Sequence, residues 1–539
     1  MEKLKQNQIV AIDEAISRGL TGGGLSLPLG FGKTRTSICL GLKYNRGPIL
    51  VVVSKTLLAG WLGEIGKAFG EDLKYEIMYK PYLKKNFGIW EPKPDTQLVL
   101  TTPEVLVDAY TEYHFEDLFC NHIVPEAFGP IILEYIVPTE PMLKDHSGYG
   151  YLYSVKWGCL IIDEIQTLTN VETKKCRAIS CISSHYRWGL SGTMFDEPKT
   201  GRFLGYFTML HLKGPRTIPD MKVHMKTSFT GFRRFLVHRE TNEEFVKPEY
   251  VEEIVSHDLS ETEQYVFECS REILNSLSKS VRDAKRTGDV NGMRTFNAYL
   301  LAMITYIRQF IISPIIPITN IYCDIADFST KSELSEIIGR RFQELKLDGW
   351  LNSEESFIST RFKAILEKVE KHKAERTIIF SCFRTPLVLL QHILDSRGYK
   401  TLTIDAGMSA HSRKSVLEQF EQTDECILLL TYTTGAEGLN LQCASVVMLV
   451  DLWWNSAKIQ QAIGRVFRPG QKKTVYAYIF ISNTSMESQM IEKNKLKAEM
   501  LKELEVGKTT KRIPKLTLRQ IMNIINSEHN GESLKQIRT

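Results

Sequence analysis

A short glycine-rich run has the residue types that bind phosphate. It reads GFGKT and stands between a short apolar run and a helical pattern from Thr36 to Leu40. Gly30 and Gly32 would let backbone N–H groups approach phosphate oxygens at a helix N-terminus. Lys33 would place a positive charge on the β and γ phosphates, and the Thr34 hydroxyl suits Mg²⁺. The run predicts a phosphate-binding loop, and an ordinary glycine turn is the alternative.

Two adjacent carboxylates could supply the metal ligand and the base for such a loop. Asp163 and Glu164 directly follow the apolar run from Leu160 to Ile162. Side chains at the carboxyl end of a parallel strand can face a phosphate loop of the same sheet. Asp163 is therefore predicted to hold Mg²⁺, and Glu164 is predicted to orient and deprotonate water. Acidic pairs also cap helices, but the order of the two motifs favours the catalytic interpretation.

Two arginines near the other end of the chain suit a phosphoryl group. Arg465 and Arg468 lie within the run from Gln461 to Gln471, and on a helix their spacing would place both on one face. The planar fork of a guanidinium matches phosphate oxygens better than a lysine does. Arginines at this spacing also form surface salt bridges, so both interpretations stay open.

The elements that must position these residues are of the α/β class. Residues 48–53 and 159–162 are apolar without polar alternation, which predicts parallel strands covered on both faces. A similar strand-then-helix pattern returns at residues 377–380, 427–430 and 446–450. The sequence therefore predicts two α/β domains, each with a parallel sheet.

Long amphipathic patterns separate the two predicted sheets between residues 256 and 345. The predicted domains are residues 1–250 for the first lobe, 251–350 for a helical protrusion and linker, 351–492 for the second lobe, and 493–539 for a basic helical tail. Residues 104–153, whose pattern has no clean periodicity, are predicted to be an insertion. Residues 493–519 carry nine Lys or Arg against three Glu, which fits either a solvated helix face or a nucleic-acid contact.

Composition excludes several other classes of protein. The chain has 539 residues, of which 43% are hydrophobic and 24% charged, as expected for a folded protein of several domains. Its ten cysteines include no Cys-x-x-Cys pair, so neither a zinc ribbon nor a disulfide framework is predicted. We expect no membrane span and no secretory signal, and so a soluble intracellular protein whose compartment (nucleus, cytoplasm or virion) stays open. A net charge of +5 does not by itself indicate a polyanionic partner.

Taken in order, the motifs resemble those of the Swi/Snf-type (Snf-two) family of helicase superfamily two, in the compact form found in bacteria, phages or large DNA viruses. The resemblance spans about residues 4 to 490. Besides the three motifs above, it rests on runs that match the family's other motifs: Leu4–Gln8, Val53–Trp61, Thr101–Glu104, Leu190–Met194, Phe232–Arg239, Ile379–Phe383, Asp405–Gly407, Thr431–Leu441 and Asp451–Asn455.

The resemblance implies two RecA-like lobes that close over ATP and Mg²⁺ and grip the phosphates of one nucleic-acid strand. It implies that Gln8 contacts adenine and that Gln166, Gly435 and Gln461 also contact the nucleotide. This sequence departs from the family where Gln166 replaces the usual His. Further departures are Leu27, Pro28, Thr433 and Glu437.

Three functions are compatible with these residues. The first is an ATP-driven motor on double-stranded DNA that remodels or displaces bound proteins without separating the strands. The second is a strand-separating DNA or RNA helicase in transcription or repair, and the third is an inactive nucleic-acid-binding scaffold. Double-stranded DNA is the predicted partner, while transcription or chromatin-type protein partners and the oligomeric state stay open. The presence of Lys33, Asp163, Glu164 and both arginines argues against the scaffold.

Overall fold

The chain folds into two compact units, whose main parts are residues 1–246 and residues 247–496. The computed structural model describes residues 4–28, 30–79, 93–112, 140–141, 150–195, 200–227, 233–239, 248–318, 333–344, 358–405, 407–435, 439, 441–453, 456–468 and 470–506. No helix within these ranges is long and apolar enough to cross a membrane.

The first unit is built on a parallel sheet of seven described strands. In chain order they are Gly22–Ser26 (β1), Ile49–Val52 (β2), Tyr75–Met78 (β3), Leu98–Thr101 (β4), Trp157–Ile162 (β5), Ser184–Ser191 (β6) and Leu236–His238 (β7). Their order across the sheet is β3-β4-β2-β5-β6-β1-β7. Every residue of β2 and β5 is buried, because helices cover both faces, and this explains the uninterrupted apolar runs.

Helices connect these strands. The described ones are Gln6–Ser17 (α1), Lys33–Tyr44 (α2), Leu58–Phe69 (α3), Pro103–Glu112 (α4), Tyr151–Ser154 (α5), Lys174–Ser180 (α6), Thr200–Met209 (α7) and Ile218–Thr227 (α8), with a 3₁₀ turn at Ile165–Thr167.

The second unit has a parallel sheet of six described strands. They are Tyr250–His257 (β8), Thr377–Ser381 (β9), Lys400–Ile404 (β10), Cys426–Thr431 (β11), Val446–Leu449 (β12) and Val475–Ser482 (β13), in the order β10-β11-β9-β12-β13-β8. The described helices are Glu261–Thr287 (α9), Val290–Ile312 (α10), Glu333–Glu344 (α11), Thr360–Lys371 (α12), Arg384–Ser396 (α13), Ala410–Gln422 (α14), Tyr432–Gly435 (α15), Ser456–Ile463 (α16) and Ser485–Val506 (α17).

Two long helices, α9 and α10, occupy much of the stretch for which the sequence predicts amphipathic helices. Ser260 begins α9 with a capping box, in which its side chain accepts from the backbone of Glu263 and the Glu263 side chain accepts in return. Gly288 ends α9 in the left-handed conformation, with φ of 74°. The predicted fold class of two parallel-sheet α/β lobes with helices is confirmed, and α9 and α10 follow β8 within the second unit.

Two element boundaries differ from the predicted domains. Residues 251–257, which we assigned to the helical protrusion and linker, form most of β8 and pair with β13 along its whole length. The strand escapes prediction because it lies at the edge of the sheet and carries two adjacent glutamates. Glu252 is exposed and Glu253 is partly exposed. The helix α17 crosses the predicted boundary between residues 492 and 493. Most of the predicted insertion at 104–153, and the tail beyond residue 506, lie outside the described residues.

The sheet of the first unit places three predicted motifs at one edge. The strands β5, β6 and β1 are neighbours, and Ser26 pairs with Ser191 while Ile162 pairs with Gly189. The carboxyl ends of these strands therefore lie nearly level, and each leads directly into one motif.

Candidate functional site

The glycine-rich run forms a tight loop between β1 and α2. Gly30 and Gly32 have φ of 79° and 84°, in the left-handed region that glycine adopts without steric cost. Gly32 is the N-cap residue of α2 and supplies no side-chain hydrogen bond to the first amides of the helix. Lys33 and the buried Thr34 lie in the first turn of α2. The loop thus has the helix N-terminus and the side chains that the sequence predicts for a phosphate site.

The side-chain amide of Gln8 holds this loop in place. Gln8 is 4% exposed, and its Nε2 donates to the carbonyl oxygen of Phe31 at 2.8 Å. Its Oε1 accepts from the backbone N–H of Lys5 at 3.0 Å. A Cβ on Gly32 would come within 2.4 Å of Gln8 Nε2, so the loop and the amide are packed against each other. The sequence predicts an adenine contact for Gln8 and does not reveal this second role.

Asp163 follows β5 and is fixed by two hydrogen bonds. Trp61 Nε1 on α3 donates to its Oδ2 at 2.7 Å, and the backbone N–H of Glu164 donates to its Oδ1 at 2.9 Å. Burial, and after it the charge of Glu164, raise the pKa of Asp163 to about 6. The bond from Trp61 and the charge of Lys33 lower that pKa. The structure therefore brings the loop lysine and the acidic pair close enough to interact.

Glu164 sits in a strained conformation beside this carboxylate. Its φ and ψ of 46° and 45° are left-handed, which is uncommon for a residue other than glycine and is often found at functional sites. The buried Gln166 side chain donates through Nε2 to Glu164 Oε2. The contact that the structure gives Gln166 is thus with Glu164, and its predicted nucleotide contact stays a prediction.

The hydrogen bond from Trp61 is a feature that sequence reasoning missed. The resemblance identified Trp61 only as part of a motif, and 102 residues separate it from Asp163. No spacing rule connects positions so far apart. The one available signal is the buried, amphipathic pattern of α3, which places Trp61 on the face that packs against the sheet.

The arginine motif differs from its prediction. The helix α16 ends at Ile463, and the chain turns at Gly464 to Val466, so Arg465 and Arg468 do not share one helical face. Arg465 is 5% exposed and its backbone oxygen accepts from Leu441. The Nε of Arg468 donates to the carbonyl oxygen of Gly464 at 2.8 Å. Their catalytic roles stay predictions.

The remaining predicted nucleotide contacts also lie in the second unit. Gln461 is partly exposed on α16. Gly435 is buried at the end of α15, where a Cβ would meet side-chain atoms of both Leu430 and Phe380 at 2.4 Å. Close packing therefore explains why a glycine stands at this position, and its contact with a nucleotide stays a prediction.

The first unit's site fits a triphosphate with Mg²⁺. At Gly32, the N-cap of α2, there is no room for a Cβ, and the residue places no side chain over the first amides of the helix. The Asp163 carboxylate and the Thr34 hydroxyl are oxygen donors of the kind that Mg²⁺ prefers. Within the described residues no cluster of three or more His, Cys, Asp or Glu could hold a metal alone. A site with few protein ligands is the usual one for Mg²⁺ bound together with phosphates.

Two family models match the chain. Residues 15–212 match the SNF2-related domain, and residues 360–470 match the helicase conserved C-terminal domain. The chain is an SNF2-type protein of helicase superfamily two. The SNF2-type domains imply that this enzyme is of the ATPase type and uses ATP, and the predicted family is confirmed.

Three relatives illustrate how far the similarity extends. Protein 172L of Invertebrate iridescent virus 6, named as a helicase, is 25% identical over 92% of this SNF2-type chain and 88% of its own length. YwqA of Bacillus subtilis (strain 168), named as an ATP-dependent helicase/translocase, is 24% identical over 87% of this chain and 45% of its own. The DNA repair protein RAD5B of Arabidopsis thaliana is 37% identical over 29% of this chain and 12% of its own. The chain thus spans less than half of the bacterial and plant relatives.

Proposed function

We propose that this chain is a DNA-dependent ATPase that moves along double-stranded DNA and displaces or remodels proteins bound there. The observation that carries the proposal is the meeting of two motifs at one edge of the first sheet. The charge of Lys33 acts on Asp163, although 130 residues separate them in the sequence. A phosphate loop beside a fixed carboxylate pair is the arrangement that nucleotide hydrolysis needs.

Each step assigned to the chain follows from these contacts. The amides at the start of α2 and the Lys33 ammonium bind and orient the phosphates. Thr34 and Asp163 would hold Mg²⁺, which supplies charge neutralisation at the phosphate oxygens when bound. Glu164 orients a water molecule and accepts its proton, and the amide of Gln166 fixes the carboxylate that does so.

Duplex DNA is the proposed track. The motifs that resemble the Swi/Snf-type family support it, above all Leu190–Met194 and Val53–Trp61. YwqA, named as an ATP-dependent helicase/translocase, and RAD5B, named as a DNA repair protein, support DNA as the nucleic acid. Because the predicted grip is on backbone phosphates, binding should be nearly independent of sequence and should weaken steeply with salt.

The test compares ATP hydrolysis by the purified chain with duplex DNA, single-stranded DNA and RNA. Duplex should stimulate most, and a triplex-forming strand should be displaced during turnover while a plain duplex stays paired. Lys33→Ala is the control: Lys33 is partly exposed in the first turn of α2, and we expect its loss to abolish turnover while the chain stays folded. Strand separation, or a preference for RNA, would favour the helicase alternative. Absence of any turnover would favour the scaffold.

A further inference from the structure

A basic hollow lies in the first unit, away from the site described above. It has a volume of about 750 Å³ and is lined by Arg18, Leu20, Lys213, Arg233, Arg234 and Phe235. Four of these six residues are cations, and no acidic residue lines the hollow among those that the structure describes. None of the six was assigned a binding role from the sequence.

The hollow belongs to the amino-terminal edge of the sheet. Arg18 and Leu20 directly precede β1, and Arg233 to Phe235 directly precede β7. The phosphate loop follows the opposite end of β1. Five strand residues rise by about 3.3 Å each, so the two ends of β1 are on the order of 13 Å apart. A nucleotide in the phosphate loop therefore does not explain the charges of this hollow.

One carboxylate, Glu14 of α1, lies beside the cations of the hollow. Glu14 forms ion pairs with both Arg18 and Arg239, so one carboxylate serves two guanidinium groups. Lys213, Arg233 and Arg234 are exposed to solvent. Like charges gathered around a concavity raise the local positive potential and attract anions.

A second observation indicates that this potential acts on neighbouring groups. His224 on α8 has a lowered pKa, first because of burial and then because of the charge of Arg234. Arg234 also lies over the ring of Phe235, with its guanidinium carbon 4.6 Å from the ring centroid. Because this stacking already holds the guanidinium in place, the Arg234 side chain loses less conformational entropy when it binds an anion.

We propose that the hollow binds the phosphodiester backbone of DNA. It would be a second DNA contact, at the end of the strands opposite the phosphate loop. Its volume is typical of pockets for drug-sized ligands, roughly 300–1,000 Å³, and so exceeds what one phosphate needs. Guanidinium forks match phosphate oxygens. The inference rests on the proposed function only in naming DNA as the ligand.

The test measures binding of a labelled duplex to the full chain across a salt series. The variant Lys213→Gln, Arg234→Gln removes two exposed cations of the hollow. The matched control is Arg46→Gln, Lys74→Gln, because both residues are exposed, carry the same charge and directly precede strands β2 and β3 at the same edge of the sheet. Melting temperatures should show that both proteins remain folded.

The slope of log K against log salt should become shallower by about 2 in the hollow variant and stay unchanged in the control, since each lost phosphate contact contributes about 0.9. ATP turnover at saturating duplex should stay at the wild-type rate in both. Equal slopes in the two variants would overturn the inference. Weaker binding of inorganic phosphate or polyglutamate by the hollow variant, together with an unchanged duplex slope, would overturn DNA as the ligand.

The outcomes separate this inference from the proposed function. A wild-type chain that neither binds duplex nor hydrolyses ATP faster with it would refute both. If the wild-type chain binds duplex and hydrolyses ATP faster with it, but the hollow variant has the same salt slope as the control, only the second DNA contact is refuted.

Discussion

The change Gly32→Ala tests whether the phosphate loop works in the conformation that the structure gives it. Gly32 has φ of 84°, and a Cβ there would meet Gln8 Nε2 at 2.4 Å. A left-handed conformation costs an alanine about 1–2 kcal/mol. Moving the amide away from Phe31 O forfeits a hydrogen bond worth about 0.5–1.5 kcal/mol. The two costs together should destabilise this loop conformation by about 1.5–3.5 kcal/mol relative to other loop conformations.

The loop can yield locally, so the loss should appear in ATP use rather than in global stability. At about 1.4 kcal/mol per factor of ten, the loss corresponds to a roughly 10- to 300-fold decrease in kcat/KM for ATP. Steady-state hydrolysis with saturating duplex DNA measures it, together with binding of a fluorescent ATP analogue. Gly63→Ala is the matched control, because Gly63 is an exposed residue of α3 with nothing within 4 Å of its Cβ position.

The double variant Gln8→Ala, Gly32→Ala separates the two causes. It removes the amide that the new Cβ would strike but keeps the backbone strain. Because both single changes disrupt one shared contact, their combined loss should be smaller than the product of the single losses. Turnover by Gly32→Ala within threefold of wild type would refute the reasoning, and so would fully multiplicative losses in the double variant.

Three further changes test other contacts. Glu164→Gln should leave ATP binding intact and block hydrolysis, which single-turnover measurements would separate, since an amide can hydrogen-bond to water but cannot accept its proton; loss of binding would instead make Glu164 a ligand. Trp61→Phe should raise the Mg²⁺ concentration needed for half-maximal turnover, because Asp163 loses the donor at 2.7 Å; an unchanged requirement would show that other contacts suffice. Arg361→Met should lower the free energy of unfolding by about 3–5 kcal/mol, because it breaks the fully buried pair with Glu487. Arg384→Met is the control and breaks an exposed pair. It should lower the free energy of unfolding by less than about 1 kcal/mol in the same denaturant titration.

Contiguous motifs account for most of what the sequence predicts correctly. The loop from Gly30 to Thr34 and the helix after it follow from local backbone geometry, because glycine and a following helical pattern act over a few residues. The apolar runs of β2 and β5 likewise report burial on both faces. Parallel strands then bring their carboxyl ends together without any further information.

Long-range and marginal features escape prediction for physical reasons. The bond from Trp61 to Asp163 depends on where α3 packs, which no local pattern encodes. The edge strand β8 lacks a continuous apolar run because most of its residues are partly or fully exposed. The end of α16 at Ile463 depends on the turn that starts at Gly464, and helix boundaries are weakly specified by sequence.

The contact between Gln166 and Glu164 suggests a physical reason why glutamine can replace the family's usual histidine. The resemblance implies a histidine at this position in most members, and an imidazole changes its charge near neutral pH. The Gln166 amide stays a neutral donor at every pH, and it holds Glu164 Oε2. Glu164 itself sits in a strained left-handed conformation that its surroundings must maintain. A buried amide is suited to that task, because it holds the carboxylate by a hydrogen bond without placing a second ionisable group beside it.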